Sequence, residues 1–301
     1  MVTLNRRSRV HRTRTGKRIA LTERDVAIFR LLSQYRYLRS TYIHAFVGGA
    51  SETRFKERLG DLFHEGFLDR PSQQWEFAAA RHMPAVHELG ERGRRALRAC
   101  SGCGDGARTY LAGHAHRQFQ HGLMICECLA SIELAARERG GVRFIPWGEI
   151  VGKAPAQTQA AIMPFKLGLA GGAVTPDALF GLEYQAHGRK MYRFFALEAD
   201  RGTMPVSRAG AGQTSYLAKL ASYRQAIEGA LPKRHWGIPN LLVLTVTTDS
   251  RRLAGILAKL GGEHPLFLFK AVPPRALAAP IPELLAEPWE RAGLPAFRID
   301  A

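Results

Sequence analysis

The sequence predicts a mixed α/β chain of the α+β kind, built as two domains. Three observations predict it. Apolar residues recur at helical spacing three times within residues 22–63 and give way to short β-like runs before Gly90. Beyond residue 116 the order becomes helix, three strands, helix, strand. A chain of 301 residues, 46% hydrophobic and 23% charged, supplies core enough for two compact domains.

Residues 1–19 form a basic tail with Arg6, Arg7, Arg9, Arg12, Arg14, Lys17 and Arg18 and no acid. Such a block repels itself and lacks apolar anchors, so it is expected to be disordered alone and to order along phosphates. Residues 20–99 make the first domain. Thr22 caps a helix, Asp25 stands three residues on, and Ile28, Leu31, Leu32 and Tyr35 form its apolar stripe. An extended piece, residues 35–38, leads to Ser40, read as the N-cap of a second helix carrying Ile43, Phe46 and Val47 and stopped by Gly48-Gly49. Ser51 opens a third helix, with Phe55, Leu59, Leu62 and Phe63 on one side and Thr53, Arg54, Lys56, Glu57 and Arg58 on the other. Residues 67–70 and 84–90 read as two strands of a wing. Three short helices followed by a hairpin is the winged helix-turn-helix order. Arginine reaches guanine edges bidentately and lysine meets phosphates. Arg54, Lys56 and Arg58 are therefore the expected major-groove contacts, with Arg6, Arg7, Arg9, Arg12 and Arg14 adding phosphate contacts.

The charge balance points the same way. Lys and Arg total 43 against 26 Asp and Glu, a net of +17, and residues 1–120 alone hold 22 Lys and Arg against 11 acids. A field of that sign attracts polyanions, and double-stranded DNA is the expected partner. No secretory segment follows Met1 and no run approaches ~18 uninterrupted apolar residues, so neither export nor a membrane partner is expected and the chain is placed in the cytoplasm. Four cysteines do not make a disulfide scaffold.

Residues 100–115 read as a linker. Cys100, Cys103, His116 and His121 match the spacing of a zinc finger, but the insert carries only Tyr110 and Leu111 as bulk, which argues against zinc. Cys126 and Cys128 fall inside a helix and are expected to be buried as small hydrophobes.

The second domain spans residues 116–272. A long helix covers residues 117–139, and strands are predicted over residues 142–146, 173–180 and 191–199. A helix over residues 214–228 and a buried strand over residues 240–246 follow. A further helix begins at Ser250, residues 265–269 read as an edge strand, and residues 273–301 read as an irregular, proline-rich tail around Trp289. Strand alternation puts Glu198 and Asp200 on one face, and Asp177 follows Pro176 on the neighbouring strand. Carboxylates converging at a sheet edge suit Mg²⁺, which can activate water against a phosphate.

The αβββαβ order resembles the PD-(D/E)XK, restriction-endonuclease-like core. Over its whole length the chain resembles the plasmid replication-relaxation family. The residues that carry the resemblance are Leu21-Thr22-Glu23-Arg24-Asp25, Tyr35-Arg36-Tyr37-Leu38, His121, Pro176-Asp177, Leu197-Glu198-Ala199-Asp200-Arg201-Gly202-Thr203, and Lys219-Leu220 with Tyr223. The resemblance implies a winged helix joined to a nuclease-like domain, acting in replication and topology of mobile DNA beside replication or mobilisation proteins. One departure matters: Asp200 stands where the nuclease pattern has lysine. Lys219, sharing a helix face with Tyr223, is the expected substitute. Besides a protein-docking adaptor, two functions stay open at this point. One is a DNA-binding protein of a plasmid or other mobile element. The other is a Mg²⁺-dependent endonuclease in which Asp177, Glu198 and Asp200 hold the metal and Lys219 orients water.

Overall fold

The computed structural model describes residues 7–49, 51–76, 82–100, 119–186, 188–207 and 215–300. The chain divides into two units, Met1–Glu127 with Ala278–Pro280, and Cys128–Leu277 with Ile281–Ala301.

In the first unit, α1 (Glu23–Tyr35) starts from a reciprocal cap: the Thr22 hydroxyl accepts from the Asp25 backbone N–H, and the Asp25 carboxylate accepts from Thr22 N at 2.7 Å. β1 (Leu38–Arg39) leads into α2 (Ser40–Val47), and α3 (Glu52–His64) follows, capped by Ser51 through the Arg54 N–H at 3.3 Å. β2 (Leu68–Asp69) and β3 (Val86–Leu89) pair antiparallel, and β1 joins the far side of β3, giving the order β1-β3-β2. α4 (Glu91–Ala99) comes last before residues 101–118, which are outside the described residues together with most of the expected linker. Ile28, Phe29, Leu32, Tyr35, Tyr42, Ile43 and Leu62 are fully buried, and Phe29 stacks on Phe67 at 5.9 Å. Gly93 allows a close approach: a Cβ there would meet the Phe67 carbonyl oxygen at 2.2 Å.

Two expectations for this unit change. Ser40 is not the cap of α2; Arg39 holds that position without a side-chain bond, and Ser40 is buried with its N–H donated to Ala85 O at 2.9 Å. The basic tail is not without structure from residue 7 onward. It lies against the C-terminal end of α3, where helix carbonyls lack intrahelical partners. Arg12 donates to Phe63 O at 2.9 Å and Leu68 O at 3.0 Å and pairs with Asp69. Thr13 N donates to His64 Nδ1 at 3.1 Å, Thr15 to Glu65, and Arg7 and Lys17 both reach Asp61 at 2.6 Å.

α5 (Phe119–Glu138) runs across the division between the units. Cys126 and Cys128 on it are fully buried, as expected, and burial pushes the Cys126 thiol up to about 12. The second unit is built on a seven-stranded mixed sheet. β4 (Val142–Pro146) is followed by α6 (Trp147–Gly152), α7 (Ala156–Ala160) and a small ribbon of β5 (Leu167–Leu169) and β6 (Gly172–Val174). β7 (Ala178–Ala186) and β8 (Arg189–Asp200) form a long hairpin. α8 (Tyr216–Glu228) and α9 (Leu231–Trp236) carry the chain to β9 (Leu242–Thr247), and α10 (Ser250–Leu260) carries it to β10 (Phe267–Ala271). Then come α11 (Glu283–Ala286), β11 (Trp289–Arg291) and β12 (Leu294–Phe297). The order is β12-β11-β10-β9-β8-β7-β4, with β8, β9 and β10 parallel. β9 is buried along nearly its whole length, as a central parallel strand must be when both faces are covered.

Three expectations for this unit change as well. Residues 173–180 are not one strand: the break falls at residues 175–177, where Pro176 has no N–H for a ladder. Residues 265–269 are not an edge, because β11 pairs with β10. Residues 273–301 are not an irregular tail: β11 and β12 extend the sheet, and Trp289 and Ile299 are fully buried. Among the described residues no helix is long and apolar enough to cross a membrane.

Two measurements test these packing statements. Gly93→Ala would ordinarily stabilise a helix by about 1 kcal/mol; here it is expected to lower the urea midpoint, because the methyl meets backbone. Burial alone would raise the Asp25 carboxyl, but the Arg58 guanidinium and the Thr22 donors outweigh it and hold it below the ordinary range. Its contribution is therefore complete above the unfolded value of about 4 and vanishes as pH falls through the lower folded value. Asp25→Ala is expected to cost about 3 kcal/mol at neutral pH and to flatten the acid limb of the stability curve.

Candidate functional site

The sheet of the second unit brings a lysine, a carboxylate and a tyrosine together beside a second carboxylate. Asp177 lies one residue before β7, and its Oδ2 accepts from Ala199 N on β8 at 2.9 Å. Glu198 on β8 stands opposite Thr245 on β9 and is 2% exposed. α8 covers it with one face, Tyr216, Lys219 and Tyr223, at helical spacing. Lys219 Nζ donates to Glu198 Oε2, the Tyr223 hydroxyl donates to Glu198 Oε1, and Tyr216 and Thr245 join their hydroxyls. Lys219 Nζ is also 3.9 Å from Asp177 Oδ1, at the partly open end of the cluster.

Asp200 takes a different partner. Arg252 on α10 grips it bidentately, Nε to Oδ2 at 2.7 Å and the second nitrogen to Oδ1 at 3.1 Å, and Gly202 N adds a bond at 3.0 Å. The same guanidinium holds Met204 O at 2.6 Å. Asp200 thus fastens the end of β8 to α10 and to its own turn. Arg201 is exposed, away from the cluster.

This donor set does not fit Mg²⁺ as expected for Asp177, Glu198 and Asp200. Both oxygens of Glu198 accept from Lys219 and Tyr223, and both oxygens of Asp200 accept from Arg252. Among the described residues, no group of three or more His, Cys, Asp or Glu is placed to hold a metal. Burial, with the neighbouring charge of Asp177, pushes the Glu198 carboxyl up to about 8. Burial works against the Lys219 ammonium, yet Glu198 and Asp177 more than offset it and its affinity for the proton rises. What the arrangement holds is a buried, hydrogen-bonded lysine–carboxyl pair with a second acid at its mouth. Lys219 and Tyr223, read from the sequence as sharing one helix face, both meet Glu198. Tyr216 and Arg252 were not foreseen: Tyr216 sits three residues before Lys219 on that face, which is a usable signal, whereas nothing in the sequence marks Arg252 as the partner of Asp200.

The first unit presents the basic face of α3. Thr53, Arg54, Lys56 and Glu57 are exposed, and Lys56 pairs with Glu52 at 2.7 Å one turn away. Arg58 is not on that surface in the expected sense. Its guanidinium binds the buried Asp25 carboxylate at 3.0 and 2.5 Å and Ala20 O at 2.8 Å, joining α3 to α1. Arg9 donates to Met83 O at 2.9 Å, Arg14 is exposed, and Arg6 lies outside the described residues. Of the zinc-like spacing, Cys103 and His116 also lie outside them.

The family model described as replication-relaxation matches residues 29–241, a span that holds α3 and the Asp177, Glu198, Asp200 and Lys219 cluster. No curated protein and no solved structure matches the chain.

Lys219→Met leaves Glu198 buried without its cation and is expected to cost about 3–5 kcal/mol in urea unfolding. The double variant Glu198→Leu with Lys219→Met is expected to regain most of that loss, since the pair contributes little net stability over apolar packing.

Proposed function

This chain belongs to the replication-relaxation family, and on that premise we propose that it is a cytoplasmic DNA-binding protein acting in the replication and relaxation of a plasmid or other mobile element. The observation that carries the reading is the exposed basic face of α3, with Arg54 and Lys56 on it, on a unit in which α3 precedes the antiparallel strands β2 and β3. The order α1, β1, α2, α3, β2, β3 supports a winged helix that sets α3 in a major groove. The chain's net charge of +17 supports a polyanionic partner. Arg54 is the base-reading candidate and Lys56 a phosphate contact, while Arg14 adds charge from the N-terminal segment. Arg7, Arg12 and Arg58 act inside the unit, through Asp61, Asp69 and Asp25. In this reading the second unit, taken as a nuclease-like domain, is a scaffold in which Lys219 and Arg252 hold Glu198 and Asp200. Replication or mobilisation proteins are the partners the reading calls for.

Fluorescence anisotropy with labelled duplex DNA tests it. Affinity should fall steeply between about 50 and 200 mM salt as displaced counterions return. Lys56→Ala should weaken binding to all sequences and reduce the salt slope by about 1, and Arg54→Ala should cost about 1–3 kcal/mol at its preferred site. Binding indifferent to salt and to both substitutions sinks the reading. Supercoiled plasmid should stay intact with Mg²⁺. Nicking that needs Mg²⁺ and disappears in Asp177→Ala would replace the scaffold role of the second unit with a nuclease.

A further inference from the structure

A second concentration of positive charge, adjoining the face of α3 through Lys56, surrounds a half-open cavity of about 450 Å³ in the first unit. Arg9, Ser40, Arg70 and His87 line it, with Glu52 and Lys56 also on its wall. His87, on β3, is 1% exposed, and its Nδ1 is buried without a hydrogen-bond partner among the described residues. The Nε of Arg70 is buried and unpartnered in the same way. The rest of the Arg70 guanidinium is fixed: it donates to Arg9 O at 2.9 Å and lies over the Phe63 ring at 4.3 Å.

Glu52 is the only carboxylate among the described lining residues, and it is already paired with Lys56 at 2.7 Å, both side chains more than half exposed. No acid of the lining therefore balances Arg70. Burial brings Arg70 down to about 10, with the charges of Arg9 and Arg7 adding to it, and burial beside Arg70 and Arg9 keeps the His87 imidazole neutral. A buried N–H left unmade costs free energy that an acceptor would recover. The volume falls in the range of small-molecule sites.

We propose that this cavity is a phosphate site, in which Arg70 and Arg9 hold the phosphate oxygens and His87 supplies the hydrogen bond it otherwise lacks. Guanidinium groups bind phosphate by charge-assisted bonds and are weakly hydrated, which suits a partly buried arginine at a half-open cavity. The phosphate can belong to a nucleotide or to a DNA strand. The site shares Lys56 with the α3 face but not the base-reading Arg54, and its own test rests on Arg70 and His87.

The test uses the full chain and the imidazole resonances of His87, assigned by their loss in His87→Gln. Inorganic phosphate, a deoxynucleoside monophosphate and duplex DNA are titrated separately at constant ionic strength. A saturable shift of the His87 signals by phosphate or nucleotide is expected, and Arg70→Met should weaken it by about tenfold or more. Arg70→Lys, which keeps the charge but not the planar fork, should bind between the two, with far-UV circular dichroism of both variants checking that they fold. If DNA displaces the nucleotide from the cavity, the phosphate is that of the strand; if DNA binds without displacing it, the ligand is the free nucleotide. Loss of DNA binding with the nucleotide shift intact overturns only the α3 reading. No saturable shift with any of the three probes, or a shift indifferent to both Arg70 variants, overturns the phosphate site.

Discussion

A carboxylate sealed inside the second unit governs what may lie above it. Glu198 stands on a strand whose neighbours, β7 and β9, leave it no water, so its oxygens must be met by donors from the covering helix. Lys219 and Tyr223 supply them from consecutive turns of α8, and Tyr216 completes the layer against Thr245. The position and rotation of α8 are thereby fixed by polar geometry as well as by apolar contact. Arg252 does the same for α10 at Asp200. Two helices are registered to the end of one strand by charges that a purely apolar core could not place so specifically.

The first unit uses its cations in a similar way, and that changes which of them are available to a partner. Arg58 and Arg12 belong to a basic helix and a basic tail, the features that suggest nucleic acid. Yet Arg58 closes on Asp25, and Arg12 closes on the carbonyls at the end of α3. The charge left for outside contact includes Arg54 on the early turns of α3 and Arg94, Arg95 and Arg98 on α4, which share Glu91. Net charge alone would have spread it over the whole N-terminal third.

Much of this was legible in the sequence where a local rule acts. The Thr22 and Asp25 box and the Ser51 cap depend on neighbours a few positions away. The shared face of Lys219 and Tyr223 was legible too, through helix spacing, but that Glu198 takes both their bonds was not. What could not be read depends on distant partners. Asp200 was assigned to a metal because strand parity gives a side chain's face but not the residue that arrives there, and Arg252 arrives from α10. The tail pairing of Arg12 leaves no periodic trace, since its acceptors are carbonyls. Short strands such as Trp289–Arg291, set among prolines, are too brief for alternation to declare them.

The parallel run of β8, β9 and β10 has a kinetic side. The β7–β8 hairpin can close from adjacent residues, but β9 reaches its place only after the crossover through α8 and α9, and β10 only after α10. Non-local pairing of this kind is slow, because loop closure comes before any contact rewards it. Throughout that interval the edge at residues 195–197, Phe-Ala-Leu, is unpaired and apolar. At high concentrations of newly made chain, that edge finds a second copy before it finds β9, and the refolding yield falls as concentration rises.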